Sequence, residues 1–62
     1  MNHQEYTLAR RALIGGSKVV IGTVPLSEQR IRIIGLRTKH GQYEGKYIGD
    51  GKWYPVYRVE ME

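Results

Sequence analysis

Glycine and proline residues interrupt this 62-residue chain at short intervals from Gly15 onward. Both residue types break regular structure, so closely spaced copies favour short strands that are joined by turns. A chain of this length forms one domain and buries only about 60% of the surface that its unfolded form exposes. We therefore predict a single small domain over residues 1–62. Its fold class is mainly β, a small antiparallel meander of about four or five strands.

Four segments have the composition and alternation of strands. They are Lys18–Val24, Arg30–Leu36, Gln42–Ile48 and Lys52–Met61. The polar/apolar alternation of the second segment changes phase at Ile33–Ile34, which predicts a β-bulge near Gly35. Residues 25–29 and 38–41 are predicted as a loop and a turn, and Gly49–Gly51 has the pattern of a hairpin turn.

Residues 3–13 fit two structures. Asn2 and Glu5 have capping-box spacing, and Gly15 stands where a helix commonly stops. The parity of Tyr6 and Leu8 fits a strand instead, with residues 15–17 as its turn. We favour the helix. A short, bent meander tends to curl on itself, so we predict an SH3-like small barrel. The alternative is an α+β fold, with the helix packed on a four-stranded antiparallel sheet.

Alternation along the strands predicts two faces of opposite character. The predicted apolar and aromatic face carries Ile31, Ile33, Tyr43, Tyr47, Trp53, Tyr57, Val59 and Met61. The predicted outer face carries Arg30, Arg32, Glu44, Lys46, Lys52, Tyr54 and Arg58. The sequence therefore concentrates positive charge on one side of the sheet.

Ten lysines and arginines outnumber six acidic residues, giving a formal net charge of +4. Such a surplus attracts polyanions, and neighbouring cations on a sheet are spaced closely enough to meet successive phosphates. Aromatic rings among them offer stacking surfaces for bases. We predict a nucleic-acid-binding protein, for DNA or RNA, with a regulatory or accessory role. The candidate binding residues are Arg30, Arg32, Arg37, Lys39, His40, Lys46, Lys52, Trp53, Tyr54 and Arg58.

Two other functions fit the same composition, because outward lysines and arginines also solvate a sheet and discourage aggregation. The first is a protein-binding module, an inhibitor or adaptor of the sort that mobile elements encode, docked on an acidic host protein. The second is a homo-oligomer that associates through the aromatic face or a free sheet edge.

Catalytic chemistry has little support in the sequence. There are no cysteines, and the histidines His3 and His40 lie far apart. Residues 15–18 lack the spacing of a phosphate-binding loop. We predict no enzyme activity, no cofactor and no metal site. The sequence also lacks an apolar run of membrane-spanning length and an export signal, which predicts a cytoplasmic protein with no membrane partner.

The segment from Asp50 to Val56 combines an Asp-Gly turn, two aromatic residues and a Tyr-Pro pair. It resembles, over this stretch only, a hairpin of Tudor-type barrels. In that family further strands follow the run, whereas here the sequence stops soon after it. The resemblance implies a small-barrel hairpin, and it gives no basis for inferring an aromatic cage in this chain.

Overall fold

The computed structural model describes residues 1–16 and 18–62, so Ser17 of the predicted turn lies outside the described residues. The chain forms one helix followed by strands of a single antiparallel sheet. The elements are α1 (His3–Gly15), β1 (Val20–Val24), β2 (Gln29–Lys39), β3 (Gln42–Tyr47), β4 (Trp53–Pro55) and β5 (Arg58–Met61). The mainly β prediction is confirmed, and the N-terminal segment is the helix that we favoured.

The helix begins and ends as its sequence predicts. The Asn2 side chain accepts a hydrogen bond from the N–H of Glu5 at 2.8 Å, which satisfies one of the donors at the helix start. At the other end Gly16 adopts φ 66°, and its N–H donates to the carbonyl of Ala12 at 3.0 Å. Ala9 and Ala12 are the buried helix residues, and their small side chains let α1 lie close against the sheet.

The order of the strands across the sheet is β4-β3-β2-β1-β5, so β4 and β5 are its edges. Only Val56 and Tyr57 separate these two strands in the chain. The edges of a flat sheet would lie about 19 Å apart, four strand spacings of about 4.8 Å. Three Cα–Cα steps span at most about 11 Å. The sheet must therefore curl, which gives the predicted small barrel.

The link between β4 and β5 is hydrogen-bonded to both halves of the sheet. The N–H of Val56 donates to the carbonyl of Tyr43 on β3 at 3.0 Å, and the N–H of Tyr57 donates to the carbonyl of Thr23 on β1 at 3.2 Å. The sequence predicted one strand over residues 52–61, and this was wrong. The break lets the chain leave β3 and reach β1, which an uninterrupted strand cannot do.

Strand β2 belongs to both halves of the barrel. Its first half pairs with β1, from Gln29 to Ile33, and its second half pairs with β3 as far as Lys39. The register with β3 shifts between Ile33 and Gly35, which confirms the predicted bulge. The strand runs farther than predicted, because the turn that ends it contains only His40 and Gly41. Both have positive φ, 52° and 76°, as a tight hairpin requires.

The core is small, and two glycines make room for it. The buried apolar residues are Ala9, Ala12, Val20, Ile31, Ile33, Leu36 and Val56. A Cβ at Gly45 would lie 2.8 Å from Cγ2 of Ile33, and one at Gly22 would lie 2.9 Å from Cγ1 of Val56. These glycines therefore let Ile33 and Val56, which are nearly inaccessible to solvent, sit directly on neighbouring strands.

Candidate nucleic-acid interface

The outer side of β2 carries cations along most of its length. Ile31 and Ile33 are buried, so the residues that alternate with them, Arg30 and Arg32, point out of the barrel. Beyond the bulge Leu36 is buried, and Arg37 and Lys39 follow at outward positions. We refer to Arg30, Arg32, Arg37 and Lys39 as the β2 stripe.

The bulge is what keeps the β2 stripe on one side. Arg30 and Arg32 are even-numbered, whereas Arg37 and Lys39 are odd-numbered, and residues of different parity lie on opposite faces of a regular strand. One extra residue in β2 between Ile33 and Gly35 restores a common face. Sequence reasoning predicted the bulge but ended the strand before Arg37, and so assigned Arg37 and Lys39 to a turn.

Further cations flank the β2 stripe on neighbouring strands. Lys46 on β3 pairs with Gly35 in the middle of β2. Arg58 on β5 pairs with Thr23 of β1, which in turn pairs with Arg30. His40 is exposed in the hairpin turn beyond Lys39. Lys46 and Arg58 thus lie at outward positions of the sheet, as the alternation predicted.

Two members of the β2 stripe are paired with carboxylates. Arg30 Nη2 lies 2.9 Å from Oε2 of Glu60, and Arg37 Nε lies 2.9 Å from Oε1 of Glu44. Within residues 1–16 and 18–62 these are the ion pairs present. Arg32, Lys39, Lys46 and Arg58 have no carboxylate partner in that part of the chain, so no carboxylate neutralises their charge.

Trp53 lies on the outer face, contrary to the sequence prediction. It pairs with Lys46, while its neighbour Tyr54 pairs with the buried Gly45, so Tyr54 points inward and Trp53 outward. The sequence prediction treated residues 52–61 as one alternating strand, and this placed Trp53 on the inner face and Tyr54 on the outer face. The Arg37 guanidinium carbon lies 4.1 Å from the centre of the Trp53 ring. This cation–π contact fixes an aromatic surface beside the β2 stripe.

Tyr54 does not join the cations of the outer face. The Tyr54 ring packs edge-on against Tyr47, with ring centroids 6.2 Å apart, and its hydroxyl donates to the Asp50 carboxylate. Lys52 lies in the loop before β4, where its N–H donates to Asp50 at 2.9 Å. The Tyr54 hydroxyl and the Lys52 backbone therefore both hold the β3–β4 loop through Asp50.

Asp50 is held ionised by its neighbours. Donation from the Tyr54 hydroxyl, and then from the N–H of Lys52, keeps the pKa of the Asp50 carboxyl below its ordinary value. The same hydrogen bond from Tyr54 to Asp50 raises the pKa of the phenol. The arrangement fixes the loop, because the carboxylate bridges a backbone donor and a side chain of the next strand.

Sequence reasoning missed the stacking of Arg37 on Trp53 and the role of Gly35 beneath it. A Cβ at Gly35 would lie 3.1 Å from Cη2 of Trp53, so glycine lets the indole reach across β3 to β2. Gly35 and Trp53 are distant in sequence, and only the strand register brings them together. The chemistry that this surface offers is cationic and aromatic.

Over residues 1–16 and 18–62, no cluster of three His, Cys, Asp or Glu side chains has metal-binding geometry. In the same residues, no helix has both the length and the apolar character needed to cross a membrane. Comparison of the chain with protein-family models, curated proteins and solved structures yields no match.

Proposed function

We propose that this protein binds nucleic acid, DNA or RNA, through its phosphate backbone, as a regulatory or accessory factor. The observation that carries the proposal is the β2 stripe, in which a bulge keeps four cations on the outer side of one strand. A bulge has a structural role in bending β2. Its placement between Arg32 and Arg37 also determines which side the later cations occupy.

Spacing along β2 supports a polyanionic ligand. Alternate residues of a strand lie about 6.5–7 Å apart, so Arg30 and Arg32, or Arg37 and Lys39, meet charges at regular intervals. Flanking charge from Lys46 and Arg58 widens the positive surface. Phosphates that bind there release condensed counterions, which makes the affinity depend steeply on salt.

The proposal is tested by measuring affinity against salt concentration. Four unpaired cations, Arg32, Lys39, Lys46 and Arg58, predict a slope of log K against log salt of about −2.8 for a single strand and about −3.6 for a duplex. We expect the variants Arg32→Gln and Lys39→Gln each to reduce the slope by about 0.7–0.9. Fluorescence anisotropy of a labelled oligonucleotide provides the measurement.

Arg11→Gln is the matched control, since Arg11 is exposed on α1 and lies outside the β2 stripe. It removes the same charge and should leave the slope close to that of the unmodified protein. Undetectable binding at about 50 mM salt, or equal slopes for all three variants, would show the proposal to be wrong.

A protein-binding module that docks on an acidic host protein is the second candidate. Arg30 and Arg37 already hold the carboxylates of Glu60 and Glu44, so this surface accepts carboxylates as well as phosphates. Retention of a protein from nuclease-treated lysate, lost in Arg32→Gln, would favour it. Self-association through a sheet edge stays a prediction, tested by sedimentation at several concentrations. We propose the cytoplasm as the compartment for either function.

A further inference from the structure

A cleft of about 240 Å³ lies beside the β2 bulge, between the second half of α1 and the indole of Trp53. It is smaller than the roughly 300–1,000 Å³ of sites for drug-sized ligands, and suits a single planar ring system. Its lining combines apolar and aromatic side chains with Arg10, and polar atoms supply about as much of its exposed surface as apolar atoms do. The lining residues are Arg10, Leu13, Ile14, Ile34, Gly35, Leu36 and Trp53.

The walls of this cleft expose apolar surface to water. Ile14 is 80% exposed at the end of α1, and Ile34 is 50% exposed in the bulge. The indole of Trp53 lines the same cleft, and the Arg37 guanidinium lies over its ring at 4.1 Å. Ile14 and Ile34 line one cleft, so these two exposed apolar side chains are grouped there rather than scattered over the surface.

The cleft lies at an interruption in the β2 stripe. The cations of the β2 stripe recur at alternate residues except between Arg32 and Arg37, where the bulge carries Ile34 and Gly35 instead. The cleft opens at this interruption. A phosphate backbone that follows the β2 stripe therefore passes a recess lined by Arg10, Ile34 and Trp53, where a base can contact the indole beside positive charge.

We propose that this cleft receives one unpaired base, and that the ligand class is single-stranded nucleic acid. The inference rests on the proposed function, and it adds a preference for single strands over duplexes, which phosphate contacts alone do not give. A base in a duplex is paired and stacked, so it cannot enter a recess of this size. Contact with Trp53, Ile14 and Ile34 uses the ring face, which every base has, so recognition is tolerant of sequence.

Trp53 is the single tryptophan of the chain, so its fluorescence reports on the cleft directly. Three ligands of equal length, about 10 nucleotides, separate bases from phosphates: an oligothymidylate, the same backbone with abasic spacers, and a duplex hairpin. We expect the oligothymidylate to change Trp53 emission and to bind about tenfold more tightly than the other two.

Ile14→Gln removes an apolar wall without adding charge, and its exposure means that the fold tolerates it. We expect it to weaken oligothymidylate binding about fivefold and to leave the abasic ligand unaffected. Leu26→Gln is the matched control, because Leu26 is 97% exposed and does not line the cleft. Circular dichroism of both variants verifies folding.

The outcomes separate this inference from the proposed function. If the abasic or duplex ligand binds as tightly as the oligothymidylate, or if Ile14→Gln and Leu26→Gln behave alike, the base-binding cleft is refuted while phosphate binding stands. If none of the three ligands binds at about 50 mM salt, both proposals fail.

Discussion

Neutralising Glu60 should strengthen nucleic-acid binding. A gain in affinity cannot result from loss of folding, so the result is informative. Glu60 Oε2 lies 2.9 Å from Arg30 Nη2, and the two side chains are 48% and 55% exposed. A surface pair of this kind stabilises a fold by at most about 1 kcal/mol, so the substitution Glu60→Gln leaves the barrel intact. It also frees Arg30 to meet a phosphate.

The size of the gain follows from one additional contact. Two unit charges about 5 Å apart in water attract by about 0.8 kcal/mol, which corresponds to about a fourfold lower Kd. The salt slope should also steepen by about 0.7–0.9. Anisotropy titrations of a labelled oligonucleotide at several salt concentrations measure both quantities.

Glu28→Gln distinguishes a local contact from a change in net charge. Glu28 is exposed in the turn between β1 and β2, with φ 52°, and has no ion-pair partner among the described residues. The variant makes the same charge change and should tighten binding less than Glu60→Gln, with little change in slope. Equal effects of the two variants, or no gain for Glu60→Gln, would refute a phosphate contact at Arg30.

Three further predictions concern the fold and the β3–β4 loop. Gly45→Ala places a Cβ 2.8 Å from Cγ2 of Ile33 and should lower the free energy of unfolding by about 1–3 kcal/mol. Thermal unfolding should show that Gly45→Ala costs less stability in an Ile33→Leu background, because leucine lacks the Cγ2 methyl group. Asn2→Ala removes the helix cap and should cost about 1 kcal/mol, or about 4–8 °C in Tm, whereas Asn2→Asp should retain most of it. Tyr54→Phe should raise the pKa of Asp50 toward its ordinary value, as measured by NMR titration of the carboxyl carbon. Because the pKa of Asp50 is lowered in the folded state, ionised Asp50 stabilises the fold above its unfolded pKa. This contribution is lost as the pH falls through the folded pKa, and Tyr54→Phe should make the loss of stability over that pH range smaller.

Local patterns were sufficient to predict most elements of the fold. The capping residues around α1, the β-branched run of β1 and the phase change at Ile33–Ile34 each act within a few residues, so sequence alone reveals them. The outward positions of Arg30 and Arg32 followed from simple alternation with Ile31 and Ile33.

The errors arose where distant residues decide the structure. Trp53 and Tyr54 exchange faces because Gly45 on β3 sets their register, and Gly45 is buried against Ile33 of yet another strand. The break at Val56 depends on hydrogen bonds to β3 and β1. No window of neighbouring residues contains this information, so Trp53 and Tyr54 were predicted on the wrong faces.

The pairing of β1 with β5, which follows the link through Val56 and Tyr57, also bears on the order in which the strands of the barrel pair. The β2–β3 hairpin closes across only His40 and Gly41, whereas β1 must find β5, pairing Val20 with Met61. Closing a long loop costs more entropy than closing a short one, so we expect the hairpin to form early and the β1–β5 seam to form late. The seam holds Arg58 beside Thr23, so the outer surface is complete only after this last step. Amide hydrogen exchange should accordingly be faster in β5 than in the centre of β2.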